Sequence, residues 1–200
     1  MKVIGLTGGI GMGKSNAAAG FRRAGLPVFD ADATVHALQG RGGRAVRAIG
    51  AAFPGTVRDG SVDRAALRRV VLLDADGSGS GAMGRLEAIV HPLVRQAERA
   101  FLARAQRGGR RLVVLDVPLL LETGGERRVD HVVVVSAPAA VQRQRVRARR
   151  KMSPAQIEAM IARQMPDARK RLMADTVIRT GLSRHHTQAQ LRRLIGRLRG

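Results

Sequence analysis

Gly8 and Gly13-Lys14-Ser15 satisfy the spacing G-x-x-x-x-G-K-[ST] inside the stretch GLTGGIGMGKSN, residues 5–16. Glycines let a backbone turn its N–H groups around a polyphosphate without Cβ clashes, and a following helix start adds the positive end of a dipole. The chemistry this predicts is nucleotide binding by Gly8, Gly9, Ile10, Gly11, Met12, Gly13, Lys14, Ser15 and Asn16. Lys14 is expected to reach the β- and γ-phosphates and to face solvent when no nucleotide is bound, and the Ser15 hydroxyl to ligate Mg²⁺. A phosphoryl acceptor also needs a base. Carboxylates that end strands are the candidates, because ligands of open α/β sheets lie beyond the carboxyl ends of the strands. Asp30 and Asp32 in VFDAD, and Asp116 and Glu122 in LDVPLLLE, qualify.

These residues need a sheet to hold them. Apolar runs bounded by turn residues predict parallel strands at KVIGLT, LPVFD, RLVVLD, DHVVVVS and DTVIR, alternating with segments of helical period. The expectation is an α/β fold with a parallel sheet covered by helices on both faces. Residues 33–110 form a long, mostly helical excursion that includes the Gly/Ser stretch GSGSG at 77–81, too long for a simple crossover. Residues 138–170 form a second, arginine-rich excursion that could act as a lid. Two helix starts carry capping signals: Ser153-Pro154-Ala155-Gln156, and Thr187 with Gln190 ahead of the stripe Leu191, Leu194, Ile195 and Leu198. Arg192 and Arg193 fall opposite that stripe and should face solvent.

The 200 residues suit one domain with a sizeable core. There is no cysteine, which removes disulfides and thiol chemistry and fits a reducing compartment. The longest apolar run, LVVLDVPLLL, is interrupted by Asp116 and Pro118 and is too short to span a bilayer. With no secretory signal in the region the glycine-rich loop occupies, a cytoplasmic protein is expected. The net charge is +21, and residues 141–200 carry 16 Lys or Arg against 3 Asp or Glu, so anionic partners are implied. With no Trp or Tyr and four Phe there is little on which to stack unpaired bases, and nucleic acid is not the expected partner. A nucleic-acid-binding P-loop ATPase and a nucleoside or nucleotide kinase remain as alternative readings.

GLTGGIGMGKS, VFDADATVHAL, LEAIVHPLVR, LDVPLLLETG, the pair Gln142 and Arg145, and ADTVIRTG, in this order along nearly the whole chain, resemble the dephospho-coenzyme A kinase family. The resemblance implies a doubly wound five-stranded parallel sheet with a helical acceptor-binding insertion and a lid. Its parts would be a core of 1–32, 111–137 and 171–200, an insertion of 33–110 and a lid of 138–170. It implies transfer of the ATP γ-phosphate to the ribose 3′-hydroxyl of dephospho-CoA, with Mg²⁺, at no membrane. Asp32 matches the family's general base, Arg145 and Arg149 its lid arginines, and His91-Pro92 the motif that embraces the acceptor. The chain departs from the family's usual pattern at Asn16, where threonine is usual, at Thr180, where asparagine is usual, and in the longer GSGSG stretch.

Overall fold

Strands buried on both faces must be apolar at nearly every position, and the two runs that flank the central strand meet that demand. In LVVLD all five residues are buried, and in HVVVVS all but the first. In the computed structural model, which describes residues 1–73, 81–150 and 153–199, these runs and three others form a five-stranded parallel sheet. The strands are β1 (Lys2–Thr7), β2 (Val28–Asp30), β5 (Leu112–Asp116), β6 (His131–Ser136) and β7 (Thr176–Arg179), and their order is β2-β5-β1-β6-β7. Strand alternation then sorts the side chains between the two faces. Val133 and Val135 join Ile4, Leu6 and Ile178 in a core closed by α1 (Lys14–Arg23) and α9 (Arg184–Arg199). Val132 and Val134 pack on the other face with Leu120, Leu121, Met165 and Ala174. Leu191, Leu194 and Ile195 of α9 are 5% exposed or less, and each contributes about 1.5–3 kcal/mol by leaving water.

The capping reading of Ser153 holds. Helix α7 (Pro154–Ala162) opens with proline at its first turn, Ser153 accepts from the Gln156 N–H, and the Gln156 side chain accepts from the Ser153 N–H. The reading of Thr187 as a helix start does not hold. Helix α9 begins at Arg184, where the Ser183 hydroxyl accepts from the His186 N–H at 3.1 Å. Thr187 is buried one turn later and donates back to the Ser183 carbonyl at 3.2 Å. Gln190 instead spans to the end of β7: its Oε1 accepts from the Arg179 N–H and its Nε2 donates to the Arg179 carbonyl. Two hydroxyls four residues apart offered the same local start, and Thr187, on the face of Leu191, went to the core.

The chain divides into two compact units, one of residues Met1–Asp30 and Arg104–Gly200, the other of Ala31–Ala103. The second contains α2 (Ala31–Gln39), α3 (Val46–Ala52), strands β3 (Val57–Arg58) and β4 (Ser61–Val62), α4 (Arg64–Leu73) and the first part of α5 (Ala82–Arg107). Its core is Ala45, Ile49, Phe53, Val62, Leu67, Val71, Ala82 and Val90. The short antiparallel hairpin β3-β4 was not foreseen within a stretch read as mostly helical. Its signal was present in Asp59-Gly60, both at positive φ (48° and 72°), the dipeptide that a two-residue hairpin turn favours. Most of the GSGSG stretch lies outside the described residues. Among the described residues, no helix is long and apolar enough to cross a membrane.

Candidate active site

Between β1 and α1 the chain turns over residues 8–13. A Cβ on Gly8 would lie 2.3 Å from Val135 Cγ2 and 2.8 Å from the Val135 carbonyl, so only glycine lets β1 and β6 approach this closely. A turn follows, closed by the Met12 N–H donating to the Gly9 carbonyl at 3.1 Å, with Gly11 at φ 75°. The Met12 side chain is buried and anchors the loop, its sulfur accepting from the Ala137 N–H. Three successive carbonyls of this loop are held by side chains from elsewhere in the same unit. Gln142 Nε2 donates to Ile10 O at 2.8 Å, Arg145 Nη1 to Gly11 O at 3.3 Å, and Thr180 Oγ1 to Met12 O. The Ile10 N–H donates to Gln164 Oε1 at 2.8 Å. Buried backbone groups must find partners, and here the carbonyls find them on the protein side of the loop. No side chain caps α1, whose first-turn N–H groups follow Gly13. The loop and the helix start have the backbone geometry that the Gly8–Ser15 spacing predicted for a phosphate cradle.

Lys14 departs from its expected state. Its ammonium sits 2.6 Å from Asp116 Oδ1, and its side chain is 16% exposed, so it does not face solvent. The cause is the strand order: β5 lies directly beside β1, in a register that sets Asp116 opposite Leu6, at the mouth of the loop. Asp116, 4% exposed at its side chain, is the member of the strand-end carboxylates that faces the cradle lysine. Asp30 pairs with Asp116 in strand register and lies 3.4 Å from Arg22. Ser15 is exposed at the head of α1. Beside the loop, a recess of about 160 Å³ is lined by Gly13, Asn16, Arg145, Thr180, Leu182 and Ser183. Arg145 reaches across it and donates to the Thr180 carbonyl at 2.6 Å and to the Thr180 hydroxyl at 3.2 Å. Thr180 thus serves both the cradle and the arginine through groups that any hydroxyl residue offers.

The remaining expected residues are placed as follows. Asp32 lies in the first turn of α2, two residues past the end of β2, and is exposed. His91 and Pro92 lie in the middle of α5, both exposed, with Pro92 inside the helix, where it has no N–H to give to Ala88. Arg149 stands near the end of α6 (Ala139–Arg150), one turn beyond Arg145, and its side chain lies outside the described residues. Sequence reasoning missed Gln164, because a single glutamine carries no signal until its backbone partner is known. It also missed Lys170, fully buried on α8 (Asp167–Leu172), whose ammonium lies 2.6 Å from Glu122 Oε1. The same Glu122 oxygen accepts from the Met165 N–H at 3.3 Å, so the segment after β5 holds the return of the 138–170 excursion at two points.

A cradle following the first strand, a lysine turned toward an aspartate on the neighbouring strand, and five parallel strands ordered β2-β5-β1-β6-β7 define a P-loop kinase. A family model described as dephospho-CoA kinase matches residues 2–184. The dephospho-CoA kinase of Paramagnetospirillum magneticum is 63% identical over 171 residues, 86% of this chain and 78% of the relative. That of Rhodopseudomonas palustris strain HaA2 is 53% identical over 195 residues, 98% of this chain and 94% of the relative. A solved structure from Thermus thermophilus superposes with a TM-score of 0.83 at 35% identity, covering 100% of this chain and 98% of the other. The dephospho-CoA kinase from Campylobacter jejuni shares the fold at a TM-score of 0.72 and 20% identity, over 98% and 96% of the two chains. The chain belongs to the dephospho-CoA kinase family, and it is an ATP-dependent kinase.

Proposed function

We propose that this kinase transfers the γ-phosphoryl group of ATP to the ribose 3′-hydroxyl of dephospho-CoA in the cytoplasm, giving CoA and ADP. The observation that carries the reading is the match to the dephospho-CoA kinase family along residues 2–184, a span that contains the glycine-rich loop of 8–15. In the reaction the 3′-oxygen forms a bond to Pγ, the bond from Pγ to the β–γ bridging oxygen breaks, and the hydroxyl proton passes to Asp32. The loop N–H groups of 8–15 hold the phosphates, except those of Ile10 and Met12, which Gln164 and the Gly9 carbonyl occupy. Lys14 exchanges Asp116 for the β- and γ-phosphates and offsets the charge that spreads over the transferring group. Arg145 and Arg149 approach the nucleotide from the lid, and His91-Pro92 belong to the acceptor side.

Mg²⁺ fits the donors present. Ser15, the next residue after Lys14, offers a hydroxyl and Asp116, ion-paired with Lys14, a carboxylate, and Mg²⁺ takes hard oxygen ligands, few of them from protein, with substrate phosphates completing its shell. When bound, the ion neutralises phosphate charge. Catalysis then rests on positioning and exclusion of water, with no phospho-enzyme. An acceptor panel with ATP and Mg²⁺ tests the reading. Dephospho-CoA should be phosphorylated at a kcat/KM at least about a hundredfold above adenosine or AMP. Preference for AMP would make the chain a nucleotide kinase, and ATP hydrolysis stimulated by single-stranded DNA would make it a nucleic-acid-dependent ATPase.

A further inference from the structure

The turn Gly9–Met12 has a positive φ at Gly11 and none at Ile10, which makes it type II. Its central peptide carries the Ile10 carbonyl on one side and the Gly11 N–H on the other. Because the peptide is planar and trans, these two groups point in opposite directions. A type II turn becomes type I by rotating that one peptide, and glycine at Gly11 tolerates both signs of φ, so the residue itself does not choose between them. Two side chains do. Gln142 Nε2 holds the Ile10 carbonyl outward at 2.8 Å, and Gln164 Oε1 holds the Ile10 N–H of the preceding peptide at 2.8 Å. Gln142 is 6% exposed and has little freedom to release its hold.

The two glutamines stand at the two roots of the 138–170 excursion. Gln142 is in the first turns of α6, and Gln164 follows α7 by two residues. Between them, α6 and α7 are joined by the Arg143–Glu158 ion pair. Both roots therefore close on the same residue of the loop. We propose that Gln142 and Gln164 are positioning residues that fix the Ile10–Gly11 peptide with its Gly11 N–H turned into the cradle, and so couple the seating of the lid to the phosphate site. The proposal rests on the nucleotide-binding reading given above. Gln142 acts as donor and Gln164 as acceptor. Displacement of Gln142 frees the Ile10–Gly11 peptide to rotate, so that the cradle presents a carbonyl where it had an N–H, and displacement of Gln164 loosens the Gly9–Ile10 peptide on which that one turns.

Amide exchange followed by NMR on the nucleotide-free protein tests the clamp, and calorimetric ATP titration tests its consequence. Gln164→Met should speed Ile10 amide exchange about tenfold or more while leaving the amides of α1 unchanged. Gln164→Glu, which keeps an acceptor oxygen at the same reach, should restore slow exchange. Gln142→Met should weaken ATP binding about tenfold at an unchanged melting temperature. Unchanged Ile10 exchange in Gln164→Met overturns the proposal, as does wild-type ATP affinity in Gln142→Met. Loss of the fold in either methionine variant would make the pair packing residues and overturns it equally. If wild type binds no ATP while the exchange pattern is as expected, the functional reading fails and the clamp stands.

Discussion

At the scale of single residues, the ion pair of Lys14 and Asp116 carries the first prediction. Lys14→Ala should lower kcat by roughly 10²–10³-fold, the scale for losing one charge-stabilising group in a transition state. It also withdraws one partner of a carboxylate that is 4% exposed, at a cost of up to about 3 kcal/mol. Thermal melting should therefore fall in Lys14→Ala and recover in part in the double variant Lys14→Ala/Asp116→Asn. A Lys14→Ala protein that turns over as wild type removes the cradle reading. The second prediction concerns Asp32. Asp32→Asn keeps shape but cannot take a proton, and kcat should drop by about 10²-fold or more with ATP affinity kept. If Asp30→Asn produces that loss and Asp32→Asn does not, the base is the other carboxylate. The cradle was legible in the sequence because its chemistry is local and its spacing rigid. The state of Lys14 was not, because its partner lies 102 residues away and meets it only through the pairing of β1 with β5.

Among elements, the strands were the most legible, since a strand buried on both faces has to be written as a continuous apolar run. All five runs became strands, with ends within two residues of those expected. Helix starts were legible where one candidate cap stood alone, as at Ser153, and misread where Ser183 and Thr187 competed. One cap went unread altogether. Asp63 Oδ1 accepts from the N–H groups of Ala65 and Ala66, each at 3.0 Å, at the head of α4. The Ala66 N–H foremost, then that of Ala65 and the nearby charges of Arg58 and Arg69, hold its carboxyl below the ordinary carboxylate range against some desolvation. A carboxyl whose pKa is lower when folded than when unfolded stabilises the fold above its unfolded value, and that contribution disappears as pH falls through the lower, folded value. Asp63→Ala should thus lower the melting temperature at pH 7, and the gap to wild type should narrow as melts are repeated at decreasing pH below about 4. A gap that stays constant or widens in acid would remove the cap from the account.

For the whole molecule, the charge of +21 invites a reading as a diffuse anion-binding surface, and the structure separates its arginines into different settings. Arg145 is half-buried and bonded to Gly11 and Thr180 beside the cradle, whereas Arg192 and Arg193 are exposed on α9, as its apolar stripe required. Replacing Arg145 with alanine should reduce kcat/KM for ATP at least about tenfold, or about 1.4 kcal/mol, while replacing Arg192 and Arg193 together should change it little. Equal losses in steady-state kinetics would return the basic surface to the account. The strand order has a consequence of another kind, in the time taken to make the chain. Strand β1 and the loop after it leave the ribosome before the other strands of the sheet, yet β1 belongs between β5 and β6, which end at residues 116 and 136. At about 5–20 residues per second, β1 waits roughly 5–20 s for the first of these neighbours. During that wait residues 31–103, whose core is drawn from within the stretch, have all been made and can close on themselves. The nucleotide loop is thus synthesised well before the strands on either side of β1 and takes its shape only after them.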